Sequence, residues 1–332
     1  MRPGPGPLVV VGDALLDQDV DGEARRLAAD APAPVVDVAD EHLRPGGAAL
    51  AAALAALRAG DREVVLVTAL GRDPASEEIR SALAGRVRLE ELPLDGSLPV
   101  KTRVRAAGRP LVRIDRGGGT PGAPTEAVRR LLERAGTVLV SDYGGGTAAA
   151  LRPLLGAAAH RAPLLWDPHP RGEPPVPAVC LAVPNAAEAR TFAAAGTSDG
   201  AAPRGDTLAD TAARAVLLRR RWQAAAVVVT LGAHGALLTR GDGDPMVVPP
   251  SRAVTGDPCG AGDCFAAAAA AALAGGALPE EAVQTAVEAA TAFVAADERT
   301  RWRQRNPGPG DGPAGDAFTV AASVRAAGGT VV

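Results

Sequence analysis

Short apolar runs alternate with helical patterns through most of this 332-residue chain, and each run ends in a polar residue or a glycine. The runs occupy residues 8–11, 64–70, 138–140, 164–166, 179–183 and 226–229, and the helical patterns occupy residues 48–57, 126–134, 208–221 and 279–294. Alternation of this kind predicts an α/β fold built on a doubly wound, mostly parallel sheet. Polar residues then gather at the carboxyl ends of the strands, where open α/β sheets bind ligands.

Composition argues against several classes of protein. Hydrophobic residues make up 47% of the chain but aromatic residues only 2%, so the core must be built from Ala, Val and Leu. A net charge of −3 argues against a nucleic-acid partner. The three scattered cysteines fit neither a disulfide framework nor a zinc site, and they indicate a reducing, cytoplasmic environment. No stretch has the pattern of a signal peptide or a membrane span, so no membrane partner is expected.

Two parts of the chain break the alternation. Residues 33–38 and 100–114 have the pattern of strands that stand outside the strand–helix alternation. Residues 306–316 are rich in Pro and Gly and precede a short apolar segment. We therefore expect one domain over residues 1–305, followed at 306–332 by a linker and a short terminal segment.

The sequence that best indicates chemistry is DPCGAGDCF at residues 257–265, directly before an alanine-rich run. Gly260, Ala261 and Gly262 leave the backbone bare, so consecutive N–H groups can surround an oxyanion, and the helix that starts there adds its positive end. Asp263 places one carboxylate at the mouth of this anion site. An anion cradle with a lone base, and no GxxxxGK[ST] motif in the chain, suits phosphoryl transfer to a hydroxyl. The alternative is an ordinary glycine-rich loop whose aspartate caps a helix.

Two further motifs, in a fixed order, extend the argument to the whole chain. Residues 45–49 are PGGAA at an early helix start, and Asn185 and Glu188 form an NxxE element. With the 257–263 loop, these motifs resemble the ribokinase-like (PfkB) carbohydrate kinases over nearly the whole length. The N-terminal half is most similar to the bacterial D-glycero-D-manno-heptose 7-phosphate kinases, through VVVGDALLDQDVDG, DAPAPVVDV, RPGGAA, KTRV, VRID and SDY. The resemblance implies a ribokinase-like fold with a small β-sheet lid from about 14–45 and 97–116.

The resemblance also implies roles for single residues. Asp263 matches the catalytic base, and Gly260, Ala261 and Gly262 match the amides that hold the transferring phosphoryl group. The residues expected to bind the sugar are Asp13, Asp17, Gly46, Gly47 and Asp142, and Lys101 and Arg103 are expected to bind a phosphate on it. The alternatives are a helix cap for Asp17 and simple solvation for the two cations.

The cofactors implied by the resemblance are ATP and Mg²⁺. The nucleotide is expected at Asn185, Thr230, Gly232, Gly235 and Asp257, and the metal is expected to be held by Glu188 through water. A monovalent cation is left open, because the family's last glycine-rich segment is not recognisable in residues 297–304, DERTRWRQ. The expected partners are a small sugar or sugar phosphate and a second copy of the chain, bound through the lid.

Three substitutions bear on the substrate. Leu50 stands where the family usually has Asn, and Gly145 and His169 stand where the heptose kinases usually have Lys. One hydrogen bond to the sugar and two cations are thereby lost. We expect ATP-dependent phosphorylation of a sugar or sugar phosphate, with heptose 7-phosphate as substrate and its 1-hydroxyl as acceptor. The alternatives are a kinase for another sugar or a nucleoside, and a non-catalytic sensor that kept the fold.

Overall fold

The computed structural model describes residues 6–195, 203, 205–241 and 243–296. The expected linker and terminal segment at 306–332, and the segment 297–304, lie outside these residues. The described strands are β1 (Leu8–Gly12), β2 (Ala14–Leu27), β3 (Pro34–Gly47), β4 (Val64–Leu70), β5 (Arg88–Ala106), β6 (Arg109–Pro121), β7 (Thr137–Ser141), β8 (Leu164–Asp167), β9 (Leu181–Ala182), β10 (Ala226–Thr230), β11 (Ala236–Arg240) and β12 (Met246–Val248).

The described helices are α1 (Ala48–Ala56), α2 (Pro74–Leu83), α3 (Glu126–Arg134), α4 (Thr147–Ala150), α5 (Arg152–Ala159), α6 (Ala186–Ala194), α7 (Leu208–Trp222), α8 (Ala261–Ala274) and α9 (Pro279–Ala295). Among them, none is both long enough and apolar enough to cross a membrane.

The central sheet confirms the predicted α/β architecture. Its strands lie in the order β12-β11-β10-β9-β8-β7-β1-β4-β5, and all neighbours from β10 to β5 are parallel, while β11 and β12 are antiparallel. The strand order reverses between β1 and β7. Crevices at such a reversal are where open α/β sheets bind ligands.

Helices cover both faces of this sheet, because side chains alternate between the faces along each strand. Leu8 and Val10 of β1 pack with the helices α1, α8 and α9 on one face, and Val9 and Val11 pack with α3, α5 and α7 on the other. The alanine-rich helices α1 and α8 contact each other, and the alanines of 266–270 are buried. Small side chains thus replace aromatic bulk in the core, as the composition predicts.

A second sheet, which we call the lid, projects beyond the carboxyl ends of the central strands. Strand β2 pairs with β3 and with the outer part of β5, and β5 pairs with β6. The strand pattern predicted over 100–114 is confirmed except at a turn that divides it, because β5 ends at Ala106 and β6 begins at Arg109. Ala107 and Gly108 between them have φ angles of 48° and 74°, as in a two-residue hairpin turn.

Candidate active site

The ends of β1 and β7 meet where the strand order reverses, and Asp13 joins them. Its carboxylate accepts hydrogen bonds from the backbone N–H groups of Tyr143 at 3.0 Å, Gly145 at 2.8 Å and Thr147 at 3.0 Å. Asp13 therefore fixes the loop that follows β7 and carries Tyr143.

Asp263 lies in the first turn of α8 and is buried. The Tyr143 hydroxyl lies 2.8 Å from Oδ1 and 2.9 Å from Oδ2 of this carboxyl. Burial raises the pKa of Asp263 to about 7, although the Tyr143 hydrogen bond and the nearby Lys101 and Arg44 lower that pKa and Asp17 raises it. A carboxyl with a pKa near neutrality is well suited to act as a general base at physiological pH.

The loop before Asp263 presents backbone donors, but not all those expected. Gly260 has a φ of 89° and precedes the helix, and the N–H of Ala261 donates to the Pro258 carbonyl at 3.0 Å. The N–H of Ala261 thus already has an acceptor, and its contact with a transferring phosphoryl group stays a prediction. Among the described residues, the N–H groups of Gly262 and Asp263 have no acceptor, so they are the donors available to an anion.

Leu50 lies against the loop that precedes Asp263. Its side chain is buried in the core, and a Cβ on Gly260 would lie 2.9 Å from Leu50 Cδ2. This substitution supports the anion loop from below.

A cavity of about 160 Å³ opens beside Asp263, and we call it the acidic cavity. Its carboxyl groups are Asp142, Asp167, Glu188 and Asp263. None of them forms a salt bridge with a basic side chain in the described structure. Burial raises the pKa of Asp142 to about 6 and that of Asp167 well above its usual value, with further contributions from the neighbouring carboxylates.

The acidic cavity also contains part of the expected nucleotide site. Asn185 and Thr230 line it, and a β-bridge joins these two residues. Asn185 and Glu188 also form the capping box of α6, in which Glu188 accepts from the Asn185 N–H at 2.8 Å. Gly232 and Gly235 shape the turn between β10 and β11 outside the cavity lining, and Asp257 Oδ1 accepts from the Cys259 N–H at 2.9 Å.

A second cavity, of about 330 Å³, lies on the other side of Tyr143 under the lid, and we call it the cationic cavity. Lys101 of β5, Arg116 of β6 and Arg171 after β8 line it, together with Asp13 and Asp115. Arg116 donates to Gln18 and Thr102, and Arg171 donates to the Tyr143 carbonyl at 3.2 Å. The Lys101 ammonium lies 5.1 Å from the centroid of the Tyr143 ring. In the described structure none of these three cations forms a salt bridge.

Arg103, which the sequence predicts as a phosphate ligand, is engaged in an ion pair in this structure. Its guanidinium lies 2.7 Å from Asp17 Oδ1, and Arg44 lies 3.4 Å from Oδ2 of the same carboxylate. Arg44 also lies 3.3 Å from Asp19, so β2, β3 and β5 share a nearly buried ion network. Gly46 allows this arrangement, because a Cβ there would lie 2.7 Å from Asp17 Oδ2, and Gly47 has a φ of 57° at the start of α1.

A third cavity, of about 430 Å³, is also rich in arginine, but its charges are compensated. It is lined by Arg103, Arg105 and Arg113. Each has a carboxylate partner, at 2.7 Å for Arg103 with Asp17, 2.7 Å for Arg105 with Asp21 and 2.8 Å for Arg113 with Asp115. The cationic cavity is therefore the better anion site.

His169 does not replace the missing lysine as a cation. It lines the acidic cavity and stacks on Tyr143, with ring centroids 6.3 Å apart. Burial lowers the pKa of this imidazole, and the charges of Arg171 and Lys101 lower it further. A positive charge on His169 that could hold a substrate phosphate is thus disfavoured.

Comparison with known proteins agrees with this geometry. Residues 156–300 match the model of the pfkB family carbohydrate kinases. The bifunctional protein HldE of Stutzerimonas stutzeri is 31% identical over 344 residues, which cover 98% of this chain and 70% of that protein. This chain belongs to the pfkB family of carbohydrate kinases.

Further comparisons show which proteins this pfkB kinase is similar to. The bifunctional protein HldE of Streptomyces coelicolor is 55% identical over 290 residues, which are 87% of this chain and 60% of that protein. The chain thus spans less than two thirds of that relative. The ribokinase of Arabidopsis thaliana, solved with ribose and ATP, has the same fold, with a TM-score of 0.66 and 23% identity over 89% of this chain and 93% of that one.

Phosphofructokinase-2 of Escherichia coli, in its tetrameric inhibited form, also has a TM-score of 0.66, with 19% identity over 90% of this chain and 98% of that one.

Sequence reasoning did not select Tyr143, Asp167, Arg116 and Arg171 as site residues, although they line the two cavities. Asp167 and Tyr143 follow apolar strands, which is a usable signal, whereas the positions of Arg116 and Arg171 depend on how the lid folds over.

Proposed function

We propose that this pfkB kinase transfers the γ-phosphoryl group of ATP to the 1-hydroxyl of D-glycero-D-manno-heptose 7-phosphate. The observation that carries the proposal is the position of Asp263. Burial raises the pKa of this carboxyl to about 7, and it lies at the positive end of α8 in the acidic cavity, in contact with Tyr143, which also lines the cationic cavity. The similarity of the N-terminal motifs to heptose 7-phosphate kinases and the 55% identity to HldE support the choice of sugar.

The described residues supply the base and the anion donors for the chemical step. Asp263 takes the proton of the acceptor hydroxyl as the oxygen–phosphorus bond forms. The bond between the γ-phosphorus and the bridging oxygen breaks, and ADP leaves with that oxygen. The free N–H groups of Gly262 and Asp263, with the end of the α8 dipole, stabilise the charge on the transferring group.

Mg²⁺ would enter the acidic cavity together with the ATP phosphates, since among the described residues no three carboxyl, imidazole or thiol side chains are placed to hold a metal ion by themselves. Asp167 and Glu188 would hold the ion, with Glu188 acting through water. A bound Mg²⁺ would neutralise charge on the ATP phosphates. A monovalent cation stays a prediction, because residues 297–304 lie outside the described structure.

Replacing Glu188 with glutamine is expected to raise the Mg²⁺ concentration needed for half-maximal activity and to lower kcat. The amide keeps an acceptor for the Asn185 N–H but loses the negative charge. A Mg²⁺ titration of activity measures the change, and thermal unfolding shows whether α6 remains intact. A titration identical to that of the wild type would contradict this role of Glu188.

The acceptor phosphate is proposed to bind Lys101, Arg116 and Arg171 in the cationic cavity. These cations come from three separate segments and have no salt-bridge partner in the described structure. Burial lowers the pKa of Lys101, so an anion in the cavity would restore the stability of its charged form. These three cations would supply the positive charge that is lost where Gly145 and His169 replace lysines.

Replacing Arg171 with alanine is expected to raise the KM for a sugar phosphate by about five- to tenfold and to leave the KM for a neutral sugar nearly unchanged. A charge-assisted hydrogen bond is lost, and its effect is reduced because Arg171 is exposed. Arg105→Ala is the matched control, since Arg105 is paired with Asp21. Equal changes in the two variants would exclude the cationic cavity as the phosphate site.

The activity itself is tested by ADP release across a panel of sugars, sugar phosphates and nucleosides, with wild type beside Asp263→Asn. The proposal expects the highest kcat/KM with heptose 7-phosphate. A preference for a neutral sugar or a nucleoside would keep the kinase and refute the acceptor. No ADP release with any compound would favour a sensor.

A second copy of the chain is proposed to cover the lid. Its strands expose several large apolar side chains, namely Leu27, Val38, Leu43, Leu111, Val112 and Ile114. Val112 and Ile114 lie two residues apart on one face of β6, and exposed apolar side chains grouped in this way mark association surfaces. Replacing both Val112 and Ile114 with glutamate is expected to convert a dimer to a monomer in light scattering, and a monomeric wild type would refute the proposal.

A further inference from the structure

The chain contains a single tyrosine and, among its 35 lysines and arginines, a single lysine. These two residues meet beside Asp263, with Lys101 Nζ 5.1 Å from the centre of the Tyr143 ring. An ammonium at this distance from an aromatic face is attracted by its π electrons.

The Tyr143 ring is fixed from several directions. Its backbone N–H donates to Asp13, its ring stacks on His169, and Lys101 lies over one face. Tyr143 is also the residue common to the linings of the acidic and cationic cavities. Its hydroxyl therefore has a defined position at the boundary between them.

The hydroxyl is within hydrogen-bond distance of both oxygens of Asp263, at 2.8 and 2.9 Å. A phenol has one proton and can donate to only one oxygen at a time. The other oxygen keeps its lone pairs for a second donor.

We propose that Tyr143 is a positioning residue that orients the Asp263 carboxylate, holding one oxygen so that the other accepts the proton of the acceptor hydroxyl. Tyr143 keeps its own proton throughout the step. Lys101 holds the ring by contact with its face and thereby links the occupied cationic cavity to the base. The inference rests on the proposed function, since it assigns a role within the same transfer.

Replacing Tyr143 with phenylalanine removes the hydroxyl and keeps the ring. We expect kcat to fall by roughly 10- to 100-fold, as for a lost hydrogen bond to a charged group, while the KM for the acceptor changes by less than about twofold. A residue that only packs would leave kcat unchanged. An unchanged kcat in Tyr143→Phe would overturn the proposal.

A second measurement needs no turnover. Because Tyr143 is the only tyrosine, growth with 3-fluorotyrosine labels this position alone. We expect the ¹⁹F resonance of the full-length protein to differ between wild type and Asp263→Asn and to move when inorganic phosphate fills the cationic cavity. A resonance insensitive to Asp263→Asn would refute the contact. If the wild type shows no kinase activity, the proposed function fails while this spectrum still decides whether Tyr143 holds Asp263.

Discussion

Replacing Asp263 with asparagine is expected to lower kcat by roughly 10²- to 10⁴-fold, because the amide cannot take the proton of the acceptor hydroxyl. The Asn oxygen can still accept from Tyr143, so the site should keep its shape and its affinity for nucleotide. ADP release and equilibrium binding of ADP measure the two effects. Turnover near the wild-type value would refute the assignment of Asp263.

Thermal stability provides the control, because Asp263→Asn is expected to lower the activity without lowering the melting temperature. The pKa of Asp263 is raised by burial, so its favourable contribution to stability is full below pH 4 and is lost as the pH rises through about 7. A neutral amide at this position does not ionise, so its contribution to stability does not decrease as the pH rises. Asp263→Asn should therefore melt at least as high as wild type at pH 8, and this advantage should disappear at acid pH. A lower melting temperature at pH 8 would indicate that activity is lost through unfolding.

Replacing Arg44 with methionine is expected to lower the free energy of unfolding by about 3–5 kcal/mol, the largest stability effect we predict. The change leaves Asp17 and Asp19 nearly buried and without the guanidinium that lies 3.3–3.4 Å from them. Urea denaturation measures the loss.

The matched control is Arg113→Met, on the same lid. Arg113 pairs with Asp115 in an exposed salt bridge, and its loss should cost less than about 1 kcal/mol. Equal effects of the two substitutions would show that the Arg44 network contributes no more than a surface pair.

The central sheet could be predicted from the sequence because its signals are local. Apolar runs at β1, β7, β8 and β10 end at residues that line the two cavities of the candidate site, and the glycines before Asp263 indicate an anion site without any knowledge of the fold. The parts that depend on long-range pairing could not be predicted. The hairpin between β5 and β6 interrupts a continuous β pattern, and the partner of Arg103 is set by β2, which lies more than 80 residues away in the sequence.

Charge compensation was the least predictable property of the site. Lys101 and Arg103 are two residues apart on one strand, yet the lid leaves the first without a salt bridge and pairs the second with Asp17. Arg116 and Arg171 belong to no motif, and the lid brings Arg116 to the cavity that Arg171 also lines. The residues for phosphoryl transfer could be predicted from the sequence. The residues proposed to bind the acceptor are brought together only by the tertiary structure.

The central claim is tested most directly by the ³¹P NMR spectrum of one reaction. The protein is incubated with MgATP and equal amounts of D-glycero-D-manno-heptose 7-phosphate and unphosphorylated heptose. We predict that the γ-phosphate signal of ATP is replaced by a new resonance coupled to the anomeric proton of a heptose 1,7-bisphosphate, while the neutral heptose is unchanged. Phosphate on the neutral heptose, or ATP that stays intact, would contradict the account.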